Sequence, residues 1–211
     1  MDGLLVDSEI LWHKAEVEIF GQLGVPLSDA RLTKGMFVSE VVDFWYSRYP
    51  WEKPSTDEVV DQLLARVGDL IESEGRLLPG ALRALDLAGA RGPLALASST
   101  PMALILRCLD HFGLTERFAS IHSADVEPFG KPHPGVFLSA AAALGKAPGQ
   151  CLVFEDSAAG VLAAKAAVMT VVAVPTGDDA HRPEFALADL VLASLVDLDP
   201  AWLDDVFARH D

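Results

Sequence analysis

Apolar residues recur with helical spacing along the first third of the chain. Ile10, Leu11, Val17, Ile19, Phe20 and Leu23 are interleaved with His13, Lys14, Glu16 and Glu18, which predicts a helix over 9–23 that stops near Gly24 and Pro26. A second helix is expected over 39–48, where Val41, Val42, Phe44, Trp45 and Tyr46 concentrate large side chains. Ser55-Thr56-Asp57-Glu58 has the form of a capping box. The long helix it opens carries Val59, Val60, Leu63, Leu64, Val67, Leu70 and Ile71 on one face. No strand is expected from 9 to about 76.

The pattern changes after the turn signal Leu78-Pro79-Gly80. A helix over 81–89 leads to the apolar run Leu94-Ala95-Leu96-Ala97, and Ser98-Ser99-Thr100-Pro101 opens a helix reaching about Phe112. Short strands are expected at 119–122, 151–154, 170–174 and 190–192, separated by helical patterns over 134–144, from Ser157 to about Val168, and from 201 onward. Strands alternating with helices imply a parallel sheet covered on both faces. The expected class is therefore α/β: a doubly wound, Rossmann-like core formed by 1–8 and 78–211, with a helical insert at 9–77. Met1 to Glu9 read as the end of a buried strand running into a turn. Asp2 sits where strand becomes loop, and Gly3 supplies the turn.

Of the 211 residues 51% are hydrophobic and 22% charged. No run approaches the ~18 uninterrupted apolar residues of a membrane span, so a soluble globular protein is expected. No cleavable apolar leader opens the chain. Two cysteines, Cys108 and Cys151, suggest neither a disulfide framework nor a zinc site, and a reducing, cytoplasmic setting is expected. The net charge of −15 argues against nucleic acid or an anionic membrane as partner. A phosphate ester approaching so acidic a protein needs local positive charge, from a metal ion and one or two lysines or arginines.

Four polar clusters fall where expected strands or their following loops end: Asp2, Ser98-Ser99-Thr100, Lys131 and Glu155-Asp156. In a parallel sheet those ends share one edge, so groups distant in sequence can converge. Singly, each has a plainer explanation. Glu155-Asp156 reads as a solvated helix start, Ser98-Ser99-Thr100-Pro101 as a cap, and Lys131 as a loop lysine before Pro132-His133-Pro134. Together they suit phosphoryl transfer. Carboxylates can hold Mg²⁺ while leaving positions for waters and substrate oxygens. A serine hydroxyl and the N–H groups opening the next helix can cradle phosphate oxygens. A lysine neutralises the charge spread over the transferring group.

In these motifs the chain resembles haloacid dehalogenase superfamily phosphatases of the β-phosphoglucomutase-like branch, whose first motif reads Asp-x-Asp-Gly-x-x-x-Asp-Ser. Met1-Asp2-Gly3-Leu4-Leu5-Val6-Asp7-Ser8 matches all of it except the first aspartate. Leu96-Ala97-Ser98-Ser99-Thr100, Lys131-Pro132-His133-Pro134 and Val153-Phe154-Glu155-Asp156-Ser157 match the second, third and fourth motifs, and 9–77 matches the family's mobile cap. The resemblance implies that Asp2 is the general acid, protonating the leaving alcohol and later helping to activate water, with its backbone carbonyl on Mg²⁺. It implies that the Ser98 hydroxyl binds a phosphate oxygen with help from the Ser99 N–H, and that Lys131 bridges nucleophile and phosphate. Asp156 would hold Mg²⁺, with Glu155 as a direct or water-mediated ligand. Members that cleave carbon–halogen bonds lack the acid at the Asp2 position and need no Mg²⁺, so its presence implies phosphate esters.

Within the branch, Ser8-Glu9-x-Leu11-Trp12 and the stretch from Val41 to Trp51 resemble phosphatases of sugar and hexitol phosphates, including those acting on 2-deoxyglucose 6-phosphate. β-Phosphoglucomutases instead carry a histidine at the Trp12 position, and many relatives an arginine at the Phe37 position. The sugar is expected to be read by the cap near Trp12, Phe37 and Trp45. The resemblance also implies a nucleophilic aspartate two residues before Asp2, which forms an aspartyl-phosphate and ligates the metal; that position precedes Met1. The expected protein is a monomeric, Mg²⁺-dependent phosphatase for small sugar or hexitol phosphates. The alternatives are a hexose-phosphate mutase and a non-catalytic phosphosugar binder.

Overall fold

The structure, a computed structural model, describes residues 1–27 and 36–208. Its first part is helical: α1 (Glu9–Gln22), α2 (Val38–Arg48) and α3 (Thr56–Glu74). The capping box that opens α3 forms as expected. Ser55 Oγ accepts from the Glu58 N–H, and the Glu58 carboxylate accepts from the Ser55 N–H at 2.8 Å. Val59, Leu63, Val67, Leu70 and Ile71 lose all or nearly all exposure where α3 packs on α1 and α2. Phe20 and Trp45 fill the space between the three helices, ring centroids 6.3 Å apart. Each such burial stabilises by about 1.5–3 kcal/mol. The ion pairs Lys14–Glu74 and Glu18–Arg66 lie on the outside and contribute far less. Among the described residues 9–76 contain no strand.

The remainder alternates as the pattern required: α4 (Ala81–Gly89), β1 (Ala95–Ser98), α5 (Met102–His111), β2 (Ser120–Ser123), α6 (Gly135–Ala143), β3 (Leu152–Glu155), α7 (Ala158–Ala166), β4 (Thr170–Ala173), β5 (Leu190–Val191) and α8 (Pro200–Ala208). Every ladder between these strands is parallel. β1 pairs β2 from Ala95↔Ser120 to Ser98↔Ser123, β3 pairs β4 from Leu152↔Thr170 to Glu155↔Ala173, and β4 pairs β5 at Val172↔Leu190. Val171, Val172 and Ala173 are wholly buried, as expected for a parallel strand covered on both faces. The α/β class is the one read from the sequence.

The strands form two sheets, β1–β2 and β3–β4–β5. A cavity of about 350 Å³ separates them, walled by 94–97 on one side and 151–156 on the other, with Met1, Leu4 and Leu5 among its other residues. α6 lies against β1 and β2 and touches α7. The first residues form a tight turn in which the Met1 carbonyl accepts from the N–H groups of Leu4, Leu5 and Val6. Asp7 N donates to Arg76 O and Leu78 N to Leu5 O, which ties together the two chain segments that join the helical unit to the sheets. Arg107 of α5 adds a brace, pairing with Asp69 and Glu72 of α3. No described helix is long and apolar enough to cross a membrane.

Candidate active site

The carboxyl ends of β1 and β3 meet at the turn formed by Asp2 and Gly3. Asp2 Oδ1 accepts from Ser8 Oγ at 2.6 Å and from the Trp12 indole N–H at 3.3 Å, while Oδ2 accepts from Thr100 Oγ1 at 2.6 Å. One half-buried carboxylate thus gathers donors from the first turn, from α1 and from the β1–α5 loop. The hydroxyls around it are fixed in turn. Ser98 Oγ accepts from the Thr100 N–H at 3.2 Å, and Ser123 Oγ donates to the Thr100 carbonyl at 2.7 Å.

β3 delivers charge instead. Lys131 forms a close ion pair with Glu155, their side chains only 10% and 7% exposed, and its ammonium lies 4.7 Å from the Phe137 ring centroid. Glu155 Oε2 also accepts from Ser157 N at 3.2 Å and Ser157 Oγ at 2.9 Å. Burial pushes the Glu155 carboxyl up. The Lys131 ammonium and the Ser157 N–H outweigh that, so it ionises below the usual carboxylate range. For Asp156 the balance reverses. Burial and then the neighbouring Glu155 charge hold its carboxyl well above that range. Asp156 Oδ2 lies so close to Gly3 that a Cβ there would overlap it, and Gly3 has φ +65°. Position 3 is therefore restricted to glycine twice over, by conformation and by contact.

A second cavity, of about 340 Å³, opens between the helical unit and the loop before α6, lined by Phe37, Glu40, Ser99, Pro128, Phe129, Gly130 and Lys131. Phe37 packs its ring directly on Gly130, where any Cβ would collide with it. The Glu40 carboxylate accepts from the Phe37 N–H at 2.9 Å, which places it at the first turn of α2.

Of the residues singled out in the sequence, Asp2, Ser98, Lys131, Glu155 and Asp156 come to one edge, and Lys131 also lines the second cavity with Ser99 and Phe37. Trp45 is displaced from the expected role. It is 2% exposed and packs with Phe20, Phe44 and Tyr49, because the volume between α1, α2 and α3 takes an indole. Trp12 turns its N–H to Asp2 rather than into the second cavity. Among the described residues no group of three or more His, Cys, Asp or Glu side chains is arranged to hold a metal ion. Both Asp2 side-chain oxygens are turned to Ser8, Trp12 and Thr100, while the contact expected of Asp2 with Mg²⁺ is through its backbone carbonyl. Ser8, Thr100 and Glu40 received no separate role from the sequence. The first two stood within quoted motifs, while Glu40 carried no local signal.

The family described as haloacid dehalogenase-like hydrolase matches residues 1–167. The chain is 43% identical over 202 residues to hexitol phosphatase B of Escherichia coli, covering 94% of this chain and 91% of that one. It is 29% identical over 180 residues to the fructose-1-phosphate phosphatase of the same organism, covering 82% of this chain and 93% of the other. Among solved structures, a point mutant of CbbY of Rhodobacter sphaeroides in complex with xylulose-(1,5)bisphosphate superposes with a TM-score of 0.81 at 27% identity, over 94% of this chain and 93% of that one.

Proposed function

The chain belongs to the haloacid dehalogenase-like hydrolase family, as a phosphoric monoester hydrolase, and on that premise we propose that it hydrolyses monophosphates of small sugars and hexitols with Mg²⁺ as cofactor. The observation that carries this reading is the meeting of Asp2 and its three donors with Lys131, Glu155 and Asp156 at one sheet edge.

Each group suits a step. Lys131 and the N–H groups that follow Ser98 neutralise the phosphoryl oxygens. Asp2 protonates the departing alcohol and afterwards takes a proton from water. The Ser8 and Thr100 hydroxyls can donate or accept, so they hold Asp2 in place in both protonation states. Glu155 and Asp156 place two carboxyl groups beside one lysine, and a bound cation would favour the ionised form of Asp156 that burial and Glu155 oppose. That fits a hard cation which keeps waters and substrate oxygens in its shell. When bound there, Mg²⁺ supplies Lewis-acid polarisation of a phosphoryl oxygen.

The nucleophile is assigned to an aspartate two residues before Asp2. Its carboxylate attacks phosphorus, the alcohol leaves with the Asp2 proton, and water then cleaves the aspartyl-phosphate to release inorganic phosphate. The cavity between β1 and β3 supports this assignment: it is walled by two parallel edge strands, and Met1 borders it together with Glu155 and Asp156. The test is to join an apolar strand ending in Asp, with one residue's spacing from Asp2 kept by Met1, to the amino end of the chain. Mg²⁺-dependent turnover of hexitol monophosphates is expected with Asp. A loss on the order of 10⁶ is expected when Asn stands in its place. Equal turnover by the Asp and Asn versions would overturn the assignment.

A further inference from the structure

The second cavity has an asymmetric charge distribution. At the core end Lys131 is the single cation among the described lining residues, already engaged by Glu155. At the other end stands the Glu40 carboxylate, held by the Phe37 N–H in the first turn of α2. Between them the lining is the Phe37 ring, packed on Gly130, and Phe129, which is 67% exposed. We propose that Glu40 is a specificity-determining residue that restricts this cavity to monophosphates with an uncharged, hydroxyl-rich tail and rejects esters bearing a second phosphate. The inference rests on the reading of Lys131 and Ser99 as the phosphate end.

The physical reason is that a phosphate at the Lys131 end directs the rest of the molecule toward α2. There a carboxylate accepts hydrogen bonds from hydroxyl groups, and aromatic faces cover C–H surface. A second phosphate brought to that end meets a like charge with no cation among the described lining residues to offset it. Rejection by a built-in repulsion is an effective way to separate similar ligands. The cavity, at about 340 Å³, is at the small end for ligand sites, which keeps the tail near Glu40.

Binding to the 211-residue chain in MgCl₂ tests this without requiring turnover. Inorganic phosphate, fructose 6-phosphate and fructose 1,6-bisphosphate serve as probes, the last two differing only in the second phosphate. The chain is expected to bind the monophosphate at least about tenfold more tightly than the bisphosphate. Glu40→Gln, which keeps an acceptor for the Phe37 N–H, should narrow that ratio severalfold. Glu40→Lys should bring it to parity or invert it, and inorganic phosphate should still bind in both. If phosphate binds but the ratio is near one, or does not move in Glu40→Lys, the role of Glu40 is overturned while the phosphate end stands. If inorganic phosphate does not bind at all, the reading of the site fails and this inference with it.

Discussion

The β1–β2 sheet ends in hydroxyls, the β3–β4–β5 sheet ends in carboxylates, and the two ends meet across Asp2 and Gly3. At the first end Ser98, Thr100 and Ser123 are buried, neutral and bonded to the loop that they shape. At the second, Glu155 and Asp156 crowd one lysine and the terminal ammonium of Met1, and burial together with the Glu155 charge pushes the Asp156 carboxyl up to about 7. A satisfied hydroxyl contributes about 1 kcal/mol net, whereas an uncompensated buried charge costs several. The first end is built for position. The second accepts a cost in stability that a cation would remove, and perturbed groups of this kind concentrate at functional sites.

The largest effect should come from removing the side-chain cation that pairs with Glu155. Lys131→Met leaves Glu155 buried and unpaired, and a loss of about 3–5 kcal/mol in urea unfolding is expected. Ser123→Ala at the neutral end removes only the bond to the Thr100 carbonyl, and about 1 kcal/mol is expected. Equal losses would erase the contrast between the two ends. Next in size, Asp156→Asn removes the carboxyl whose ionisation burial and Glu155 oppose. At pH 8, above its folded pKa of about 7, it should raise stability by about 1–2 kcal/mol without added metal, and MgCl₂ should no longer raise the melting temperature. A variant that MgCl₂ still stabilises as well as the parent would place the cation elsewhere.

The smallest effect isolates burial from charge crowding. Glu16 on α1 has its carboxyl pushed up to about 7 by burial alone. Its folded pKa lies above the unfolded value, so the native state binds the extra proton, and stability falls as pH rises from about 4.5 to about 7. Glu16→Gln should therefore stabilise by about 1 kcal/mol at pH 8, a figure reduced because the side chain remains partly solvated, and should change nothing near pH 4. A stabilisation independent of pH would mean that packing, not ionisation, separates the two side chains.

Much of this architecture was readable from local rules. The change of period after Pro79, the capping box at Ser55 and the apolar runs before Ser98 and Glu155 depend on neighbours a few residues apart, and the elements formed where those neighbours required. The order of elements then placed Asp2, Ser98, Lys131 and Glu155-Asp156 at one edge, because parallel strands all end on the same side. Tertiary structure decided the rest. A helical stripe contains Trp12 and Trp45 alike, and only packing of three helices sends one indole to Asp2 and the other into the core. Glu40 reaches the Lys131 cavity, and Phe37 reaches Gly130, through contacts between segments that no sequence period relates. The raised carboxyl of Asp156 has the same origin: two adjacent acids are ordinary in water, and become a site only when folding withdraws the water around both and brings Lys131 to them.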